Sequence, residues 1–142
     1  MIELSDIQRQ IVLAMLAQMG LAFVIVLMLG PARIVAIRRK QVKRSEDGKP
    51  VFPKWATQVS DCFSNQFQVP TLFYAACLLT LWLQAETDRT VWLAWIFFAL
   101  RLAHAAVFMT VNVILIRFSL FLASTVVAIS MWLPLLGAVA GI

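Results

Sequence analysis

Carboxylates, cysteines and histidines are all scarce in this 142-residue chain, and each scarcity removes a class of chemistry. There are seven Asp and Glu residues, and the first, third and fourth long apolar stretches contain none of them. An ion-coupled transporter ordinarily buries a carboxylate within a span, so a small transporter is the most distant reading of the sequence. The two cysteines, Cys62 and Cys77, stand fifteen residues apart on one expected helix, too far along it to pair. With a single histidine, His104, they make no metal-ligand set, and they read as small apolar core residues. Repeats and low-complexity tracts are lacking, and the chain reads as one domain over residues 1–142. The leader carries Glu3 and Asp6 in place of a basic cluster, and the apolar run behind it is too long for a cleaved signal peptide.

What is abundant is apolar. Hydrophobic residues make up 62% of the chain, charged residues 13%, and the mean hydropathy is +0.88. A soluble domain averages about 45–50% apolar and about 25% charged. Four runs, at about 10–32, 63–83, 91–110 and 118–142, are long enough to cross roughly 30 Å of hydrocarbon at about 1.5 Å per residue. The expected fold is an all-α membrane protein, a four-transmembrane-helix bundle.

Charge placement predicts its orientation. Eight of the twelve basic residues lie between the first two runs: Arg33, Arg38, Arg39, Lys40, Lys43, Arg44, Lys49 and Lys54, against Glu46 and Asp47. Arg117, in the link before the fourth run, falls on the same side. The positive-inside rule then puts both of these connections in the cytoplasm and both termini outside. The net charge of +5 is accounted for by topology and is not read as a nucleic-acid footprint. Gly30-Pro31 is a candidate end or kink of the first span, with 33–43 as a basic helical extension. The run from Glu46 to Pro50 has turn chemistry, Trp55 suits an interface anchor, and Gly137 and Gly141 have the spacing of a close-packing face.

The remaining polar residues inside the spans each need an internal partner. Asp61, Ser64, Asn65, Gln66 and Gln68 precede Pro70 at the start of the second span, with Asp61 and Asn65 four apart and Asn65 and Gln68 three apart. They read either as interhelical hydrogen-bonding residues or as a polar pocket at the cytoplasmic end of the bundle. Arg101 lies near the middle of the third run, where a guanidinium costs about 2.5–3.5 kcal/mol on insertion scales. Either it is structural, bonding backbone carbonyls and Asp61, or it helps to bind an anion together with the amides. His104 follows one turn later on the same face.

Asn65-Gln66-Phe67-Gln68-Val69-Pro70-Thr71-Leu72-Phe73, Arg101-x-x-His104 and Arg117-Phe118, sixteen residues after that arginine, stand in a distinctive order. In this the chain resembles a bacterial-type member of the membrane-associated eicosanoid and glutathione metabolism family, MAPEG. The resemblance covers the whole chain and implies a homotrimer of four-helix bundles in a bacterial inner membrane, with glutathione bound between subunits near the cytoplasmic face. It also implies roles for individual residues. Arg117 would stabilise the glutathione thiolate, Asn65 would meet the peptide backbone, and Gln68, Arg101 and His104 would line the cosubstrate site. One of Arg33, Arg38 and Arg39 would meet a glutathione carboxylate.

The chain also departs from the family pattern. Gln68 stands where many members carry a glutamate, an arginine upstream of the motif asparagine is missing, and Phe108 and Phe121 replace tyrosines. Two functions therefore stay open. One is a glutathione-dependent transferase or peroxidase acting on lipophilic electrophiles; the other is a non-catalytic membrane protein that binds a lipid or another anionic ligand.

Overall fold

The computed structural model describes residues 3–140, so Gly141 and the last residue of the expected fourth span lie outside the described residues. The first helix, α1 (Asp6–Arg38), begins at a reciprocal cap: the Ser5 side chain accepts from the Gln8 N–H, and the Gln8 side chain accepts from the Ser5 N–H. Its 33 residues run about 50 Å and pass through Pro31 without ending. The basic extension is helical to Arg38; the chain then turns off at Lys40, whose backbone is left-handed with φ 54°. A short antiparallel hairpin follows, β1 (Lys43–Arg44) against β2 (Pro50–Val51), with Lys43 opposite Val51 and Arg44 opposite Pro50. Gly48, at φ 74°, supplies the left-handed residue that its tight turn requires.

The second span differs from the continuous helix expected over 63–83. It is built from α2 (Lys54–Asn65) and α3 (Val69–Trp82), with a break at 66–68. Pro70 has no N–H to offer the carbonyl four residues back, and Gln68 adopts a non-helical backbone at φ −92° and ψ −98°. The N–H groups of Gln66 and Phe67 close a tight turn onto the carbonyls of Phe63 and Ser64. With 14 residues, α3 spans about 21 Å, short of the hydrocarbon thickness, and α2 completes the crossing. Among the described residues, α1, α4 (Asp88–Met109) and α5 (Ile114–Ala140) are each long and apolar enough to span a bilayer unaided.

The helices close into a ring in which α1 packs on α4, α4 on α5, α5 on α3, and α2 back on α1. This is a four-column bundle whose second column is discontinuous. Its core is layered. Toward the chain termini, Ile11, Ala14, Phe73, Ala94, Phe97 and Ala128 form one apolar cluster. Toward the hairpin lie a smaller one, Ile25, Cys62, Ala105 and Phe108, and then Ala32, Ala36 and Ala56. Between the two larger clusters sits a buried polar layer made by Gln18 of α1, Gln66 at the break and Arg101 of α4. Gln18 Nε2 donates to Gln66 Oε1 at 3.0 Å, and Gln66 Nε2 donates to the Cys62 carbonyl. Arg101 in turn donates to the Asn65 carbonyl just before the break, so backbone freed there is met by side chains, as it must be in hydrocarbon.

Candidate functional site

The break shapes one wall of a cavity of about 420 Å³ on the hairpin side of the polar layer. Its polar lining is Asp61, Asn65, Gln68, His104 and Arg117; its apolar lining is Phe108, Ile114, Phe118 and Phe121. On an unbroken helix, residues 65 and 68 would share a face by periodicity. Here the chain turns between them, and both still face the same space.

Arg117 projects from the first full turn of α5, the helix beginning four residues before the position expected for the fourth span. Its guanidinium carbon lies 4.3 Å from the centre of the Phe108 ring, and Nη1 donates to Asn112 Oδ1 at 2.9 Å. Asn112 holds that position with a left-handed backbone at φ 46°, which asparagine tolerates better than most residues. The arginine is half-buried, so it is oriented and still open to the cavity.

Asn65 Nδ2 donates to the Asp61 carbonyl at 2.9 Å, leaving Oδ1 as the end free to meet a ligand donor. His104 is 2% exposed, with its ring edge-on to Phe108 at 5.8 Å and tilted against Phe121 at 6.2 Å. Its Nδ1 has no hydrogen-bond partner among the described residues. A buried ring nitrogen in that state is suited to a polar group entering the cavity.

Arg101 does not line the cavity. It is fully buried one layer deeper, and Nη2 donates to the backbone carbonyl of Asn65 at 2.8 Å. Asp61 is not its partner: among the described residues the one ion pair is Arg9–Asp6, at 3.7 Å. Arg101 Nε and Nη1 find no acceptor among those residues either. The guanidinium therefore sits at the C-terminal end of α2, where the last carbonyls favour a cation.

A second cavity of about 300 Å³ shares Asp61, Phe108 and Arg117 with the first and reaches outward to Lys54. The Gln58 side chain donates to the Phe108 carbonyl and so ties α2 to the end of α4 beside it. Arg33 lies apart, in a further cavity of about 290 Å³, where Nη2 donates to Ser60 Oγ at 3.2 Å and the guanidinium faces Phe52 at 5.5 Å. Sequence reasoning passed over Gln18, although a lone amide in an apolar run is the same signal that drew attention to Arg101.

A family model described as the MAPEG family matches residues 11–137. The chain belongs to the MAPEG family. That match takes in all four columns and every cavity residue described above. No curated protein and no solved structure matches this MAPEG chain. MAPEG is a family of membrane proteins associated with glutathione, transferase- and peroxidase-like in type and generally oligomeric, and the three long apolar helices agree with the membrane assignment.

Proposed function

We propose that this MAPEG protein is a membrane-embedded glutathione-dependent transferase that conjugates lipophilic electrophiles. The observation that carries the reading is the composition of one cavity: an oriented guanidinium, amides and a histidine along one side, and an aromatic wall along the other. The residues fit the peptide. Arg117 supplies the fixed positive charge that favours a thiolate over a thiol. Asn65 and Gln68 offer amide groups to the peptide backbone, and Asp61, lining the same cavity, supplies a carboxylate for the ammonium group where Gln68 is uncharged. Ile114 and Phe118 are exposed on the outer side of the cavity, and if that side faces lipid an apolar electrophile has a lateral route to the sulfur. The cavities of about 420 and 300 Å³ fall in the usual range for small-molecule sites.

A homotrimer is part of this reading. At the depth of Ile25 and Ala105, α2 turns Asp61 and Ser64 outward, and polar groups there are poorly suited to lipid. A neighbouring copy covering that face would offer donors to Asp61 and shield Ser64, whose hydroxyl donates to the Ser60 carbonyl. The basic connection of 33–54 would lie in the cytoplasm, the compartment from which glutathione arrives.

The test is calorimetry of the purified protein with millimolar glutathione, then the ultraviolet thiolate absorbance, then turnover of a small aryl halide. Binding, a thiolate signal and turnover are all expected. Arg117→Ala should lose the thiolate signal and, with one charge-assisted contact of about 1.5–3 kcal/mol removed, weaken binding by tenfold or more. Absence of glutathione binding would sink the proposal. A second reading, a non-catalytic binder of a lipid or another anionic ligand, is favoured by the Phe108 ring beneath Arg117, where a tyrosine would bring a hydroxyl. Binding without turnover would select it.

A further inference from the structure

The connection over residues 33–54 carries eight cations, five of them in the loop between α1 and α2, and two carboxylates, Glu46 and Asp47, yet none of those cations forms an ion pair among the described residues. Opposite charge for this surface must come from elsewhere. The hairpin register shows which side of the loop offers it. Lys43 and Val51 are directly opposed and so project from the same face. The pairing continues outward, with the Ser45 N–H donating to the Lys49 carbonyl at 3.0 Å, so Lys49, two residues from Val51, shares that face. Lys43, Lys49 and Val51 are all exposed, Val51 at 47%. The hairpin is anchored at its base by Val42 and Phe52, packed on Ala32, Ala36 and Ala56, and that packing leaves Val51 exposed beside two lysines. Such a face is suited to a polar–apolar boundary, where the valine enters and the lysine ammonium groups reach up to headgroups.

Its position agrees. The apolar part of α1 ends near Ala32, and α1 continues only to Arg38 before the chain reverses, roughly 9 Å further along the axis. The returning strand leads through Phe52, packed beside Ala32, Ala36 and Ala56, to Trp55, whose Nε1 donates to Gln41 Oε1. The hairpin is therefore tethered on both sides at headgroup level, with an amphipathic tryptophan beside it.

We propose that the Lys43, Lys49 and Val51 face of the hairpin docks onto anionic phospholipid headgroups of the bilayer that holds the protein. The partner is fixed by charge and depth: phosphate-bearing anions presented in a plane, with hydrocarbon directly beneath for Val51. Docking would hold the loop, and through Phe52 the outer cavity that it lines, in one arrangement. This inference stands independently of the glutathione reading, and its test uses no glutathione.

Because Cys62 and Cys77 are fully buried, a nitroxide on Val51→Cys labels one site selectively in the intact protein. The label's accessibility to oxygen and to an aqueous nickel chelate is measured in phosphatidylcholine vesicles with and without phosphatidylglycerol. Phosphatidylglycerol should move the label toward the oxygen-rich depth, and high salt should reverse the shift. Lys43→Glu with Lys49→Glu should abolish the shift, each lysine being worth about fivefold in surface occupancy. Both side chains are exposed, so the thermal midpoint in detergent should stay that of the parent protein. Equal accessibility in the two bilayers would overturn the proposal. So would a label immobilised regardless of lipid composition, which would mean that a neighbouring copy covers the hairpin.

Discussion

The two ends of the bundle solve the same packing problem in opposite ways. In the half nearest the chain termini, small residues let the helices approach and large rings fill what remains. Ala14, Ala76 and Ala94 are fully buried, and Phe73 stacks on Phe97 at 4.3 Å with ring planes 7° apart. In the half nearest the hairpin the core is smaller, and its buried phenylalanine, Phe108, also forms a cavity wall. Phe108 and Phe121 line that cavity and frame a histidine and an arginine. Helices in lipid gain little from apolar contact as such and rely on close packing, so open space at one end has to be supported by the other. The layer of Gln18, Gln66 and Arg101 marks where one regime gives way to the next.

That contrast can be broken by substitution. The largest effect is expected from Phe97→Ala, which removes a fully buried ring from the terminal half and should cost about 3–5 kcal/mol. Unfolding in detergent should register the loss, while ligand affinity per folded molecule stays unchanged. Arg117→Ala should do the reverse, lowering affinity with little change in unfolding. A fall in both properties for either variant would mean that the halves are not separable.

Arg101→Gln tests the boundary between them. The substitution removes an insertion cost of about 2.5–3.5 kcal/mol, but it leaves the Asn65 carbonyl without its donor and a large buried volume unfilled. The lost hydrogen bond costs the folded bundle about 1–3 kcal/mol, whereas the insertion gain is shared by the separated helices and cancels in unfolding. Stability should therefore fall, and affinity with it, because Asn65 forms part of the cavity wall. Loss of stability with unaltered affinity would make Arg101 purely structural. The smallest effect belongs to Gln18→Leu, which deletes one interhelical hydrogen bond worth about 0.6 kcal/mol in a membrane.

Much of this architecture was legible in the sequence, and the exceptions share a cause. Hydropathy marked α1, α4 and α5 because each is a long run with few interruptions. It also drew a single second span, because averaging over a window hides a three-residue break. Pro70 and the amides around it carried the missing signal: proline favours the first turn of a helix, and α3 begins at Val69. Four of the five candidate site residues, Asn65, Gln68, His104 and Arg117, line one cavity, since motif spacing registers which residues face together. Arg101 was drawn to the same place by its charge. Which neighbour takes a buried guanidinium depends on where a backbone carbonyl is left free, and periodicity does not report that.

The break at 66–68 also bears on how the protein is made. A translocon releases a segment into lipid when that segment alone is sufficiently apolar and long. Here α3 has only 14 residues, and α2 brings Asp61, Ser64 and Asn65 with it. The second column is therefore a poor membrane anchor by itself. Gln66 finds Gln18 only beside α1, and Asn65 finds Arg101 only beside α4. Stable insertion of this column thus becomes an act of assembly, completed once the helices on either side of it in the chain are present.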